Sequence, residues 1–294
     1  MPIRDHLFPT TIPEALEMLG RADGRARLIA GGTDLVVAIR GGHAGCEVLV
    51  DTCGIAGLDR IEVSGDAIRL GAGVTMSQAE ANPDLRRRAT ALAEGASWVG
   101  GPQIRNRATI VGNVVSAQPA ADTAIPLFGL EAELQIASPD GRRAIPIEQA
   151  YIGVGKSAID PSREMVFAIR LRPHGDGETS VYMRMMKRRA LTLPVLSCAV
   201  RVAASGGRFT AVRIALGPVA ATPLRVREAE EYLRGREISA ASVAQAAEIA
   251  RDASSPRSSA LRGGAEYRKD MVPVLVRDAL WRGLQRLDEQ VVTE

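Results

Sequence analysis

Leu28-Ile29-Ala30-Gly31-Gly32-Thr33-Asp34-Leu35 sets a glycine turn inside an apolar run. Gln103-Ile104-Arg105-Asn106 leads into a second such turn, Ala108-Thr109-Ile110-Val111-Gly112-Asn113. Glycine lets the main chain approach a partner with no Cβ in the way, so successive N–H groups at such a turn can converge on an anion. The run from Asp34 to Arg40 reads as a short helix whose N-terminus faces the same place. Either turn alone reads as an ordinary tight turn. Together, with their flanks, they read as a cradle for the two charges of a pyrophosphate. Around the first turn the expected order is helix (13–19), strand (27–30), turn, helix and strand (47–51). That alternation predicts a small α/β unit with parallel strands.

Beyond position 59 the pattern changes to hairpins. Strands are expected at 60–63 and 67–70 around Ser64-Gly65-Asp66, and at 133–137 and 143–147 around Pro139-Asp140-Gly141. Helices are expected between them at 83–94 and 120–130. Arg172-Pro173-His174-Gly175-Asp176-Gly177 is the best linker. A third hairpin follows at 200–203 and 209–216, then helices at 224–233, 240–253 and 273–287. The last puts Leu275, Val276, Ala279, Leu280 and Leu284 on one stripe, which is core packing. The expected fold class is α+β. A first domain over 1–175 combines the small α/β unit (about 1–58) with a mixed sheet and helices (59–175). A smaller C-terminal α+β domain over 176–294 has an antiparallel sheet and helices.

A chain of 294 residues can hold two domains, each with its own core. Hydrophobic residues at 46% describe a soluble globular protein, and no run of ~18 apolar residues provides a membrane span. Met1-Pro2-Ile3-Arg4-Asp5-His6 lacks the apolar core of a signal peptide. A net charge of +3 from 37 basic and 34 acidic residues is too balanced to argue for nucleic acid. Cys46, Cys53 and Cys198 are scattered and form neither a disulfide framework nor a metal motif. The expectation is a cytoplasmic protein that holds no iron–sulfur cluster itself, since a cluster takes about four thiolates.

Two motifs compete with the cradle. Ala150-Tyr151-Ile152-Gly153-Val154-Gly155-Lys156-Ser157 resembles a relaxed P-loop, but Ala150 replaces the first glycine and Asp160-Pro161 disfavours the helix that must follow. Arg40-Gly41-Gly42-His43 resembles a turn that attaches flavin covalently through histidine. Such a turn should follow a strand, whereas this one ends a short helix, so His43 reads as an exposed loop residue. Other apparatus is missing. His6, His43 and His174 are far apart, no Gly-x-Ser-x-Gly elbow occurs, and Met76 spoils Gly71-Ala72-Gly73 as a Rossmann fingerprint. A nucleotide cradle without acid–base apparatus suits a cofactor with intrinsic chemistry, such as a flavin.

On these residues the chain resembles the FAD-binding medium subunit of molybdenum-containing hydroxylases, the xanthine dehydrogenase family. The resemblance covers nearly the whole chain. Ala30-Gly31-Gly32-Thr33-Asp34-Leu35 matches the family's first FAD loop, and 103–113 with Pro119-Ala120-Ala121-Asp122 matches its second. Weaker matches lie at 164–171, 182–188, 217–223 and Tyr267-Arg268.

The resemblance implies non-covalent FAD bound by Leu28, Ile29, Ala30, Gly31, Gly32, Thr33, Asp34, Leu35, Gly101, Thr109, Ile110, Gly112, Asn113 and Ser116. It places Asp122 at the FAD ribose or its neighbourhood and Val166 against the isoalloxazine ring. It also places Arg184 and Lys187 where a cation lies near the flavin, although Lys187 reads equally as a solvated surface charge.

Two features depart from the family. Val111 replaces the usual first glycine of the second loop, which implies a slightly different turn. The cysteine-bearing insertion of the 4-hydroxybenzoyl-CoA reductase branch, which holds an extra [4Fe–4S] cluster, is absent.

The resemblance implies an oxidoreductase subunit that takes electrons from a small subunit with two [2Fe–2S] clusters and passes them to an acceptor. The molybdopterin would lie in a large partner subunit, and the assembly would be a dimer of heterotrimers. The alternative is a stand-alone flavin enzyme with its own substrate, flavinylated at His43; a P-loop module is a third reading.

Overall fold

The computed structural model describes residues 3–293, so positions 1, 2 and 294 of the expected spans lie outside it. A three-stranded parallel sheet opens the chain, in the order Asp5–Leu7, Val48–Asp51, Ala26–Ile29. Helix Ile12–Arg21 packs on it because Ala15, Leu16 and Leu19 fall on one buried stripe. Thr11 caps this helix by accepting the Glu14 N–H at 3.3 Å. Strand Asp5–Leu7 was not expected; three residues are too few to show an alternation. The turn after Ile29 runs into helix Leu35–Arg40, which buries no residue.

The second sheet has five strands in the order Ile61–Ser64, Ala67–Gly71, Met165–Leu171, Glu133–Ser138, Gly141–Pro146. Every ladder in it is antiparallel, where the sequence had suggested a mixed sheet. The two hairpins are antiparallel by construction, and Met165–Leu171 slots between them opposed to both neighbours. That central strand is buried at six of its seven positions, so it reads as a continuous apolar run.

Helices fill the crossover between the hairpins. The expected helix at 83–94 is two, Pro83–Arg88 and Thr90–Ser97, because Ala89 leaves the helical region at φ −152° and ψ 48°. Just beyond the break, the Ala91 N–H donates to the Ser180 hydroxyl at 2.9 Å. The helix expected at 120–130 covers only Ala124–Gly129.

Four antiparallel strands build the C-terminal sheet: Glu178–Met185, Leu196–Ser205, Arg208–Gly217 and Leu224–Arg225. Helices Arg227–Leu233, Ala240–Asp252 and Ala265–Thr293 complete the domain. Leu224 and Arg225 form an edge strand instead of opening the helix expected there. Arg225 is buried and its guanidinium grips Glu230 at 2.8 Å, which spends the residue on the sheet. The last helix begins at Ala265 and carries Pro273 inside it. Its stripe of Leu275, Val276, Ala279, Leu280 and Leu284 is buried as expected.

The two domains share more than a linker. Tyr182, Ala199 and Ala215 of the C-terminal sheet belong to the hydrophobic core of the first domain. A Cβ on Gly129 would lie 3.5 Å from Ala199, and one on Gly217 would lie 2.4 Å from the Ile125 Cδ1. That Cβ on Gly217 would also lie 2.6 Å from the Pro119 carbonyl oxygen, so the two backbones approach closely there.

Candidate functional site

A cavity of about 870 Å³ opens beyond the carboxyl ends of strands Ala26–Ile29 and Val48–Asp51, the usual ligand position in a parallel sheet. Its first wall is the whole run from Leu28 to Leu35. Gly32 holds a φ of +72°, which turns the chain so that the N–H groups of Gly32, Thr33 and Asp34 have no backbone acceptor among the described residues. Three successive free donors at a cavity wall form an anion site. Asp34 shares this wall, and burial raises its carboxyl pKa above the ordinary range.

Gly31 has a different role from the one its sequence context suggests. A Cβ there would lie 1.9 Å from the Arg107 carbonyl oxygen. Its missing side chain lets the first turn rest on the backbone of the second, so Gly31 joins the two turns.

The second wall contains Thr109, Val111, Gly112, Asn113 and Ser116. Thr109 caps helix Ile110–Val115 by accepting the Gly112 N–H at 3.0 Å. The Ile110 N–H goes to Val74 and that of Asn113 to Thr109, leaving the Val111 N–H without a backbone acceptor among the described residues. A Cβ at Gly112 would lie 2.9 Å from the capping Thr109 hydroxyl, so the cap itself favours glycine. Val111, which replaces the family's usual glycine, packs its side chain into the core. Asn113 is pinned through its amide oxygen, which accepts from the Thr123 hydroxyl at 2.5 Å.

A third wall was missed by the sequence reading. Ile152, Gly155, Lys156, Ser157 and Ile159 line the cavity from a hairpin of Tyr151–Gly153 with Lys156–Ser157. This is the stretch that resembled a P-loop. Lys156–Ser157 is a two-residue strand with no helix behind it, so the P-loop geometry is absent here. Gly-x-Gly-Lys-Ser nevertheless marked a glycine-bent segment that carries a lysine to the site. Val99, Ile104, Met165 and Val166 supply apolar surface, and Glu164 lies beside them paired with Arg143 at 2.8 Å.

Five expected residues lie outside the cavity wall. Ile110 is fully buried in the core, and Gly101 precedes helix Pro102–Arg105 as its N-cap. Lys187 is exposed. Asp122 and Arg184 meet at 2.7 Å, and the Tyr182 hydroxyl donates to the same Asp122 oxygen at 2.6 Å. The Arg184 side chain is 1% exposed and lies 5.0 Å from the centre of the Trp98 ring, one residue from cavity-lining Val99. Burial pushes the Asp122 pKa up, against the pull of Arg184 and Tyr182. This cluster ties the two domains together behind the cavity wall. His43 is exposed and outside the wall as well, so the geometry gives a covalent flavin at that residue no support.

The residues present fit a dinucleotide: free backbone donors and one lysine for phosphate, a carboxyl for hydroxyls, and an apolar stretch for a ring system. Comparison with known proteins agrees. Residues 3–173 match the FAD binding domain in molybdopterin dehydrogenase, and 181–282 match the CO dehydrogenase flavoprotein C-terminal domain. The carbon monoxide dehydrogenase medium chain of Hydrogenophaga pseudoflava is 30% identical over 279 residues, covering 95% of this chain and 96% of that one. The xanthine dehydrogenase FAD-binding subunit of Escherichia coli O157:H7 is 29% identical over 273 residues, 92% of each chain. A solved Hydrogenophaga pseudoflava carbon monoxide dehydrogenase, lacking the Mo-pyranopterin moiety of its cofactor, superposes with a TM-score of 0.92 and 30% identity. It covers 97% of this chain and 98% of that one. The chain belongs to the family of FAD-binding subunits of molybdenum hydroxylases, and is an oxidoreductase component whose cofactor is FAD.

Proposed function

We propose that this chain is the electron relay between a [2Fe–2S] partner subunit and an external acceptor, in a complex whose large subunit carries molybdopterin. The observation that carries this reading is the cavity itself, where two glycine turns and an apolar wall converge. FAD takes up electrons one or two at a time at its own ring.

The chain's residues bind and orient the cofactor. The N–H groups of Gly32, Thr33, Asp34 and Val111 face the pyrophosphate, and the Asp34 carboxyl accepts from ribose or ribityl hydroxyls. Val99, Ile104, Met165 and Val166 exclude water from the ring system. Asp122, Tyr182 and Arg184 would brace the wall from behind as a hydrogen-bonded ion pair. The division into 1–175 and 176–294 follows the linker at 172–177, with subdomains meeting near 58. The assembly is a dimer of heterotrimers in the cytoplasm; among the described residues no helix is long and apolar enough to cross a membrane. The relatives act on molecules as unlike as carbon monoxide and xanthine, so the substrate belongs to the large subunit.

Co-expression with [2Fe–2S] and molybdopterin subunits from the same gene neighbourhood tests the reading. A yellow complex should form whose flavin is released by acid precipitation and is reduced only when the partners are present. A lone chain that turns over an organic substrate at an enzymatic rate, or flavin that stays in the acid pellet, overturns it.

A further inference from the structure

We propose that Lys156 is the cation that meets the pyrophosphate of FAD, delivered across the cavity by the hairpin of Tyr151–Gly153 with Lys156–Ser157. The inference rests on reading this cavity as the FAD site and adds a third arm to the two glycine turns. Four charged residues line the cavity: Arg27, Asp34, Lys156 and Glu164. Arg27 is folded back, donating to the Gly24 carbonyl at 2.8 Å and the Ala26 carbonyl at 2.7 Å. Glu164 is neutralised by Arg143. Asp34 faces the cavity without a counterion among the described residues, and its negative charge opposes an incoming pyrophosphate. Lys156 has no salt-bridge partner among the described residues, so it is the lining cation free to offset both.

The hairpin is built to hold that position. Gly155 takes a φ of +65°, and its N–H donates to the Ala117 carbonyl at 3.0 Å, just past the second glycine turn. The Ala158 N–H returns to Ala150 at 2.9 Å and closes the hairpin base. The lysine and the second turn are therefore fixed relative to one another through Ala117. Residue choice points the same way. Only Lys156, Lys187 and Lys269 are lysines among 37 basic residues, so the chain otherwise uses arginine for positive charge. A compact ammonium on a flexible stem serves phosphate as a point charge.

Three lysines also make the test clean. Apo-chain and FAD-loaded chain are acetylated under limiting reagent and each lysine is quantified by mass spectrometry. FAD should protect Lys156 strongly and leave Lys269 unchanged. In parallel, FAD affinity is measured for the wild type, Lys156→Ala and Lys156→Arg at low and high salt. Lys156→Ala should weaken FAD by about tenfold or more, with a shallower salt dependence, because a charge-assisted contact to an anion is lost. Lys156→Arg should restore part of the affinity, and all three apo-chains should melt together because the side chain is exposed. Equal affinity and equal salt dependence for Lys156→Ala, or a Lys156 acetylation rate indifferent to FAD, overturns the assignment. A wild-type chain that binds no FAD would instead overturn the reading of the cavity.

Discussion

Replacing Gly31 by alanine isolates the contact between the two turns. The added Cβ would stand 1.9 Å from the Arg107 oxygen and 2.6 Å from its carbonyl carbon, against about 3.4 Å for ordinary contact. Backbone must move by about 1.5 Å, since neither neighbour is a side chain that can swing away. The opposing segment resists: the Ala108 N–H is held by Ile104 at 2.7 Å, and the Ala108 carbonyl accepts from Met76 at 2.9 Å. Overpacking of this kind costs about 1–3 kcal/mol, and a backbone clash belongs at the upper end. For a chain of this size each kcal/mol shifts the melting temperature by roughly 2–4 °C, so a fall of about 5–10 °C is expected. Calorimetry of the apo-chain measures it, with FAD retention on gel filtration as the second readout, because parting the turns opens the cradle. Gly20→Ala is the control. That residue is helical with nothing within 4 Å of its would-be Cβ, so melting should stay level or rise. A Gly31→Ala chain that melts with the wild type and keeps its FAD would refute the idea that the turns rest on each other.

Two further outcomes follow from the junction between the domains. Burial, with the nearby charges of Arg172 and Arg286, pushes the His174 imidazole down to about 4. The unfolded chain then binds more protons between that value and about 6.5, so stability is full above 6.5 and falls with pH through that window, by up to about 3 kcal/mol. His174→Gln should flatten this slope in urea melts at stepped pH, and an unchanged slope would assign it elsewhere. Asp122→Asn leaves Arg184 buried without its countercharge, which should cost about 3 kcal/mol. Endoproteinase Asp-N should then cut the 172–177 linker faster, before Asp176, and equal cleavage rates would remove Asp122 from the junction.

Local chemistry was legible wherever it repeated over several residues. Leu28–Leu35 announced the first wall because glycine, threonine and aspartate follow an apolar strand, and all eight residues line the cavity. Leu275 to Leu284 announced a core stripe. Roles that depend on what approaches from elsewhere were not legible. Gly31 needed Arg107, some 76 positions away, before its bare Cα meant anything. Arg225 looked helical until Glu230 and the edge of a sheet claimed it. Lys156 was visible as part of a phosphate-binding pattern, but that pattern normally requires a helix, and only the fold reveals a hairpin doing the carrying. Asp122 and Arg184 were found by resemblance, yet they face each other across the domain junction more than they face the cavity.

The core residues contributed by the C-terminal sheet bear on how such proteins can be recombined. Tyr182, Ala199 and Ala215 complete the packing of a domain to which they do not belong in sequence. A fragment ending near Pro173 would be born with three vacancies in its interior and with Ile125 and Gly129 uncovered. A transplanted C-terminal half would need matching small residues where Ala199 meets Gly129 and where Gly217 meets Ile125. The two segments therefore make poor interchangeable modules: a chimera between relatives should inherit the seam as a matched set, or fail to express.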